Sequence, residues 1–217
     1  MKDIIIIGAG GVGRETICLI DDINSINHEW NIIGFVDDNI SIHGKAINGH
    51  TVLGGINVLN EYKTEVYAIC TISDGLIKKK ILDKIQNSYV VYPNLIHPSA
   101  VISKYVELGR GIIIQANCVI TSNVKIGNHV QLNPQCGIGH DAVIEDYASL
   151  YWNINLSGFV TIGEGAVLGT KTTVIQNKKI GEWSVIGANA TVINDIPANC
   201  VAVGSPAKPI KNRLEYI

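Results

Sequence analysis

Every sixth residue from Ile96 to Val192 is isoleucine, leucine or valine, 17 positions in unbroken phase. If such residues fill about one position in three, a run of that length arises by chance on the order of 10⁻⁸ of the time. Four residues after each comes a second small or apolar side chain (Ala100, Val106, Ile112, Cys118 and onward), and only Lys178 breaks this series. A period of six suits neither an amphipathic helix nor a plain alternating strand. It suits short strands joined by corners, three hexads to a coil, with coils stacked at about 4.8 Å. Hexapeptide repeats of this kind mark a parallel β-helix, and nearly six coils make a triangular column roughly 27 Å tall.

The column places residues 18 apart one above another, so Cys118 and Cys136 are expected to stack inside it. Glycine often follows the branched residue (Gly109, Gly127, Gly139, Gly163, Gly169, Gly181, Gly187), where a tight corner with unusual φ is expected. Lys178 is expected to mark a local corner distortion.

The chain has 217 residues, 47% of them apolar, which allows a sizeable core. Net charge is −2 with both signs scattered, which argues against a nucleic-acid or anionic-membrane partner. The apolar run Ile4–Ile7 is too short to span a bilayer and lacks the flanks of a signal peptide, so a cytoplasmic location is expected. The five cysteines (Cys18, Cys70, Cys118, Cys136, Cys200) form no CxxC pair and read as reduced, buried small side chains.

Ahead of the repeats, residues 1–92 read as a small βαβ unit and residues 93–217 as the β-helix with a short tail. Strands are expected at Lys2–Ile7, Ile32–Val36, Val66–Ile72 and Tyr89–Tyr92, with helices at Arg14–Ile23 and Leu76–Gln86. Between the first strand and helix lies Gly8-Ala9-Gly10-Gly11-Val12-Gly13, a form of the dinucleotide fingerprint whose backbone N–H groups can approach phosphate. Asp37 and Asp38, after the second strand, stand where an acid contacting ribose or base belongs. The unit is too short for a full six-strand doubly wound sheet and no dehydrogenase domain follows. A nucleotide-activated sugar therefore suits it better than NAD.

The best candidate for a general base is His140, two places past Ile138, where the hexad frame points it outward. Asp141 beside it can orient the imidazole and fix its tautomer. A base is needed because an amine or hydroxyl attacking a thioester must shed a proton. Gly158, 18 residues on, lies one coil above His140 and leaves room for a thioester carbonyl to meet a backbone N–H. His97 and His129 are expected at the surface or at strand corners, and His28, His43 and His50 in polar loops. No three histidines have the spacing of a metal cluster, so no metal is expected.

With both halves in view, the chain resembles the bacterial nucleotide-sugar N-acetyltransferases and the related sialic-acid O-acetyltransferases. The likeness is carried by Ile4–Gly13, Gly34–Asp38, Leu95–Ala100, Gly139-His140-Asp141, the hexads and Gly204-Ser205-Pro206-Ala207-Lys208. It implies a Rossmann-like α/β domain followed by a left-handed β-helix, assembled as a homotrimer with active sites between subunits. It further implies acetyl-CoA as co-substrate, with Gly158, Thr170, Ala188 and Lys208 at the CoA site. Gly10, Gly11, Val12, Gly13, Asp37, Asp38 and Ser73 would hold the nucleotide sugar, with His140 as base and Asp141 as its orienting acid. Lys211 could also meet CoA phosphates. The chain departs from the family at Val12 and Ser149, where histidine is common, and in the pair Tyr151-Trp152.

The leading expectation is direct N-acetylation of a nucleotide-linked 4-amino-4,6-dideoxy sugar for surface-glycan assembly. The rivals are O-acetylation of a sugar such as sialic acid, a non-catalytic nucleotide-binding scaffold and, least favoured, a nicotinamide oxidoreductase.

Overall fold

The computed structural model describes residues 1–213; the last four positions of the tail lie outside the described residues. The N-terminal part is a sheet in the order β3-β4-β2-β1-β5-β6. Its strands are β1 (Lys2–Ile7), β2 (Trp30–Val36), β3 (Ala46–Ile47), β4 (His50–Gly54), β5 (Val66–Cys70) and β6 (Val90–Val91). Strand β1 is central, parallel to β2 and β5. Ile4 and Ile6 enter one core and Ile5 and Ile7 another, which is why the strand reads as an unbroken apolar run rather than an alternating one.

The sheet has six strands without being a full doubly wound one: β3 and β6 have only two residues each, and β3 runs antiparallel to β4. The β3–β4 hairpin carries no alternating signal, and His50 opens β4 rather than lying in a loop. Helix α1 (Gly11–Ile26) begins at the glycine loop itself, and α2 (Gly75–Leu82) is shorter than expected. Among the described residues no helix is long and apolar enough to cross a membrane.

From Leu95 onward, two-residue strands recur every six residues and form the three faces of a left-handed parallel β-helix. The first face carries Leu95–Ile96, Ile113–Ile114, Gln131–Leu132, Ser149–Leu150, Val167–Leu168 and Val185–Ile186. The second runs from Val101–Ile102 to Thr191–Val192, and the third from Glu107–Leu108 to Lys179–Ile180. Registers between these two-residue strands are offset by 18, as in Val119↔Gly137 and Gly137↔Asn155, and shift to 16 where Ile180 meets Ile196 and Val185 meets Val201. Cys118 and Cys136 are both fully buried in the column. Cys18 is exposed, against expectation; Cys70, Cys118, Cys136 and Cys200 are buried.

Two corner expectations need correction. The glycines that follow the branched residues do not adopt positive φ. They are needed for close approach: a Cβ on Gly127 would lie 2.7 Å from Asp146 N, and one on Gly169 2.6 Å from Ala188 N. The left-handed turn sits two residues later, at Asn117, Asn123, His129, Gln135, Asp141 and on every six residues to Asn189. Asparagine is the non-glycine residue that best tolerates this region. Nor is the coil disturbed at Lys178, whose carbonyl accepts Thr161 N–H at 2.9 Å like its counterparts in other coils. Lys178 is half-buried at a corner, where a long side chain can carry its ammonium outward to water.

The N-terminal sheet and its helices sit on the first face. Leu95 and Ile113 of that face belong to the same core as Ile4, Ile17 and Phe35, and His97 Nε2 meets Asp22 of α1 at 3.1 Å. The lower edge of the column and the nucleotide-type unit thus form one packed body.

Candidate active site

His140 stands at the corner between the second and third faces, its side chain 59% exposed. Its Nδ1 lies 2.8 Å from Asp141 Oδ2. A carboxylate oxygen can only accept, so Nδ1 carries the proton and Nε2 is left bare as an acceptor. The other Asp141 oxygen accepts Asn123 Nδ2 at 3.1 Å from one coil below. These two hydrogen bonds, from His140 first and then Asn123, hold the Asp141 carboxyl below the ordinary carboxylate range. The acid therefore stays ionised and keeps the imidazole in one tautomer.

The imidazole lies flat over Gly158. A Cβ there would be 2.6 Å from His140 Cε1 and 2.7 Å from Nε2, so only glycine leaves the ring where it is. Phe159, next in the chain, meets the ring edge-on with centroids 5.2 Å apart. Asn123 and Phe159 escaped the sequence reading. Both were findable, since they lie 18 residues before and after Asp141 and so stack on its corner.

The glycine loop lies at the carboxyl edge of the N-terminal sheet. Gly8 is at φ +97°, and Gly13 has no room for a Cβ, which would collide with the Gly8 carbonyl. Gly10 caps α1 without a side-chain bond, and nothing lies within 4 Å of the Cβ position at Gly10 or Gly11. That leaves an open helix N-terminus with bare N–H groups, the arrangement that accepts a phosphate.

Asp37 accepts Ala9 N–H at 2.9 Å through Oδ2 and Asn39 N–H at 2.9 Å through Oδ1, so its carboxylate fixes the loop's shape. Asp38 accepts Ile56 N–H at 3.0 Å and pairs with Lys84 Nζ at 2.8 Å. The Lys84 bond chiefly lowers its pKa. Thr71 Oγ1 bridges to the carbonyls of Ile7 and Gly8, and Ser73 Oγ reaches Gln131 Oε1 on the column at 3.3 Å.

Thr170 and Ala188 converge as the 18-residue stacking requires. With Tyr151, Val167, Gly169, Gly187 and others they line a cavity of about 420 Å³. This cavity lies at the corner between the first and second faces, one edge of the column away from His140. Lys208 is exposed in an added antiparallel strand, Lys208–Asn212, as is Lys211.

His129 is not at the surface. It is 6% exposed, packed between Tyr92 and Tyr147, with Nδ1 unpartnered. Burial first, then Lys78 and Arg110, push its pKa down to about 4. Ser149, where the family often has histidine, is fully buried and its Oγ accepts Lys78 Nζ at 3.0 Å. It faces the N-terminal unit rather than a cleft.

Fold and site together define an acetyltransferase of the left-handed hexapeptide β-helix class. Residues 3–85 match the PglD N-terminal domain family. Perosamine N-acetyltransferase from Caulobacter crescentus, solved with CoA and GDP-perosamine, is similar to this chain. The two are 28% identical at a TM-score of 0.84, over 97% of this chain and 98% of that one. The acetyltransferase domain of PglB from Neisseria gonorrhoeae, solved with acetyl coenzyme A, is 26% identical (TM-score 0.85, 96% and 99% covered). WeeI from Acinetobacter baumannii is 26% identical (TM-score 0.75, 97% and 100% covered). No curated protein matches the chain by sequence. Over nearly its whole length the chain is thus similar to a perosamine N-acetyltransferase and to the acetyltransferase domain of PglB.

Proposed function

We propose that this protein transfers acetyl from acetyl-CoA to the amino group of a nucleotide-linked 4-amino-4,6-dideoxy sugar, with His140 as general base. The observation that carries the reading is the His140–Asp141 pair, 2.8 Å apart, exposed against the bare backbone of Gly158 one coil on. The sugar amine attacks the thioester carbonyl carbon while His140 Nε2 accepts its proton; His140 Nδ1–H stays bonded to Asp141, which stabilises the imidazolium. The Gly158 N–H receives the oxyanion of the tetrahedral intermediate. Its collapse breaks the carbon–sulfur bond, and the imidazolium returns a proton to the departing CoA thiolate. Acetyl passes directly, without an acyl-enzyme.

The nucleotide is held at Gly10, Gly11, Val12 and Gly13, with Asp37, Asp38 and Ser73 beside it. The CoA arm lies along Thr170 and Ala188, with Lys208 available to its phosphates. His140 and the Thr170–Ala188 cavity occupy different edges of one column. Between them the second face exposes Val101, Val119, Ile175 and Ile193, an apolar stripe of the kind that seats another copy. A homotrimer with sites between adjacent columns brings both edges to one thioester.

Release of CoA thiol is the assay, with GDP-, UDP- and dTDP-linked 4-amino sugars set against free sialic acid. Turnover is expected with an amino-sugar nucleotide, and His140→Ala should lower it ~10²–10⁴-fold, the usual weight of acid–base catalysis. Unchanged turnover in that variant removes His140 from the mechanism.

A further inference from the structure

The geometry points to Lys78 as a positioning residue that sets the nucleotide loop of the N-terminal unit against the catalytic column. Lys78 lies on α2 and is 0% exposed, an uncommon place for an ammonium, which needs hydrogen bonds to be tolerated there. All of its partners belong to the column: His129 O at 2.9 Å, Ser149 Oγ at 3.0 Å and Tyr147 O at 3.3 Å. The three donors of the ammonium are thus spent across the junction.

What α2 carries makes this contact consequential. Its N-cap, Asp74, accepts Leu76 and Ile77 N–H and pairs with the buried Arg213 at 2.7 Å. Just before it, Ser73 meets Gln131 and Thr71 grips the Ile7 and Gly8 carbonyls. Gly75 packs so closely on the column that a Cβ would lie 2.5 Å from Gly165 Cα and 2.5 Å from its carbonyl oxygen. From Lys78 back to Gly8, a continuous series of bonds therefore links the column to the loop that receives the nucleotide. The carbonyl of His129 and the hydroxyl of Ser149 belong to coils adjoining the one that bears His140.

Burial pushes the Lys78 pKa down to about 8, in keeping with a charge held by geometry rather than by an opposing carboxylate. The charged and titratable groups around it are Cys70 on β5, Asp74 at the cap of α2 and His129 on the column. None is an ion-pair partner within salt-bridge distance.

The inference rests on the proposed transfer reaction for its kinetic test and is independent of it for its structural one. Lys78→Met keeps the stem and removes the donors. Its KM for GDP-perosamine or whichever UDP- or dTDP-linked amino sugar the wild type turns over should rise about tenfold or more, since small misplacements of a bound substrate are costly. KM for acetyl-CoA should stay within about twofold, a split that general loosening of the fold does not produce. In parallel, amide hydrogen exchange at 71–76 should quicken in the variant while the distal coils stay as protected as in wild type.

If Lys78→Met does not fold, Ser149→Ala removes one acceptor and should show the same pattern at smaller size. A folded variant with both KM values unchanged, or with exchange at 71–76 unaltered, overturns the assignment. Absence of turnover by the wild type on every probe defeats the proposed reaction instead, and the exchange measurement then decides Lys78 alone.

Discussion

Gly158→Ala tests the site at its tightest point. The new methyl would sit 2.6 Å from His140 Cε1 and 2.7 Å from Nε2, well inside van der Waals contact. The backbone here is not in the left-handed region, so alanine itself is unstrained and the prism need not yield. What gives way is the half-exposed imidazole, which swings outward and lets go of Asp141. A hydrogen bond to a charged group contributes about 1.5–3 kcal/mol, and each 1.36 kcal/mol is tenfold in rate. Losing that bond alone predicts roughly 10–150-fold. Displacing Nε2 by about an ångström from the attacking amine adds a further penalty of comparable size.

The expected outcome is kcat/KM down by about 10²–10⁴-fold with a melting temperature close to wild type. Because both changes act through one imidazole, the double variant with His140→Ala should be no worse than His140→Ala alone. Coupled thiol-release kinetics and a thermal melt suffice. Full activity in Gly158→Ala, or a double variant whose losses multiply, would show that the ring does not work from its place against this glycine.

Gly13→Ala should destabilise the fold by about 1–3 kcal/mol, the usual cost of overpacking, because its Cβ meets the Gly8 carbonyl; chemical denaturation measures it, and unaltered stability would refute the close contact. His129 has its pKa lowered to about 4 from 6.5, so the folded protein binds fewer protons than the unfolded chain between those values. Stability is complete above about pH 6.5 and falls as pH drops toward 4, by up to about 3 kcal/mol. His129→Asn, which tolerates the left-handed backbone at this position, should flatten that decline in melts taken from pH 7 to 4. A decline just as steep in the variant would place the acid sensitivity elsewhere.

The six-residue rhythm fixes the column, its 18-residue stacking and the outward direction of His140, because each depends only on which neighbours in the chain face inward. Asp141 beside His140, Gly158 one coil above it and the convergence of Thr170 with Ala188 follow from the same arithmetic. So does Asn123, whose place beneath Asp141 is implicit in the spacing. The glycine loop was equally legible, since its conformation is a local property of Gly8 and Gly13.

Other features depend on contacts that no period encodes. Lys78 and His129 stand 51 residues apart and Asp74 and Arg213 139 apart, and neither pairing leaves a trace in hydropathy. Only the packing of the α/β unit on the first face buries His129 and turns Ser149 into an acceptor for an ammonium. Coil-to-coil crowding, likewise, assigns glycine to the close approaches and asparagine to the left-handed turns, a division that one sequence with glycine-rich corners does not specify. Local alternation along the chain is enough to set the column and the outward His140; how the glycine loop is held against them depends on long-range burial of polar groups, which no local pattern encodes.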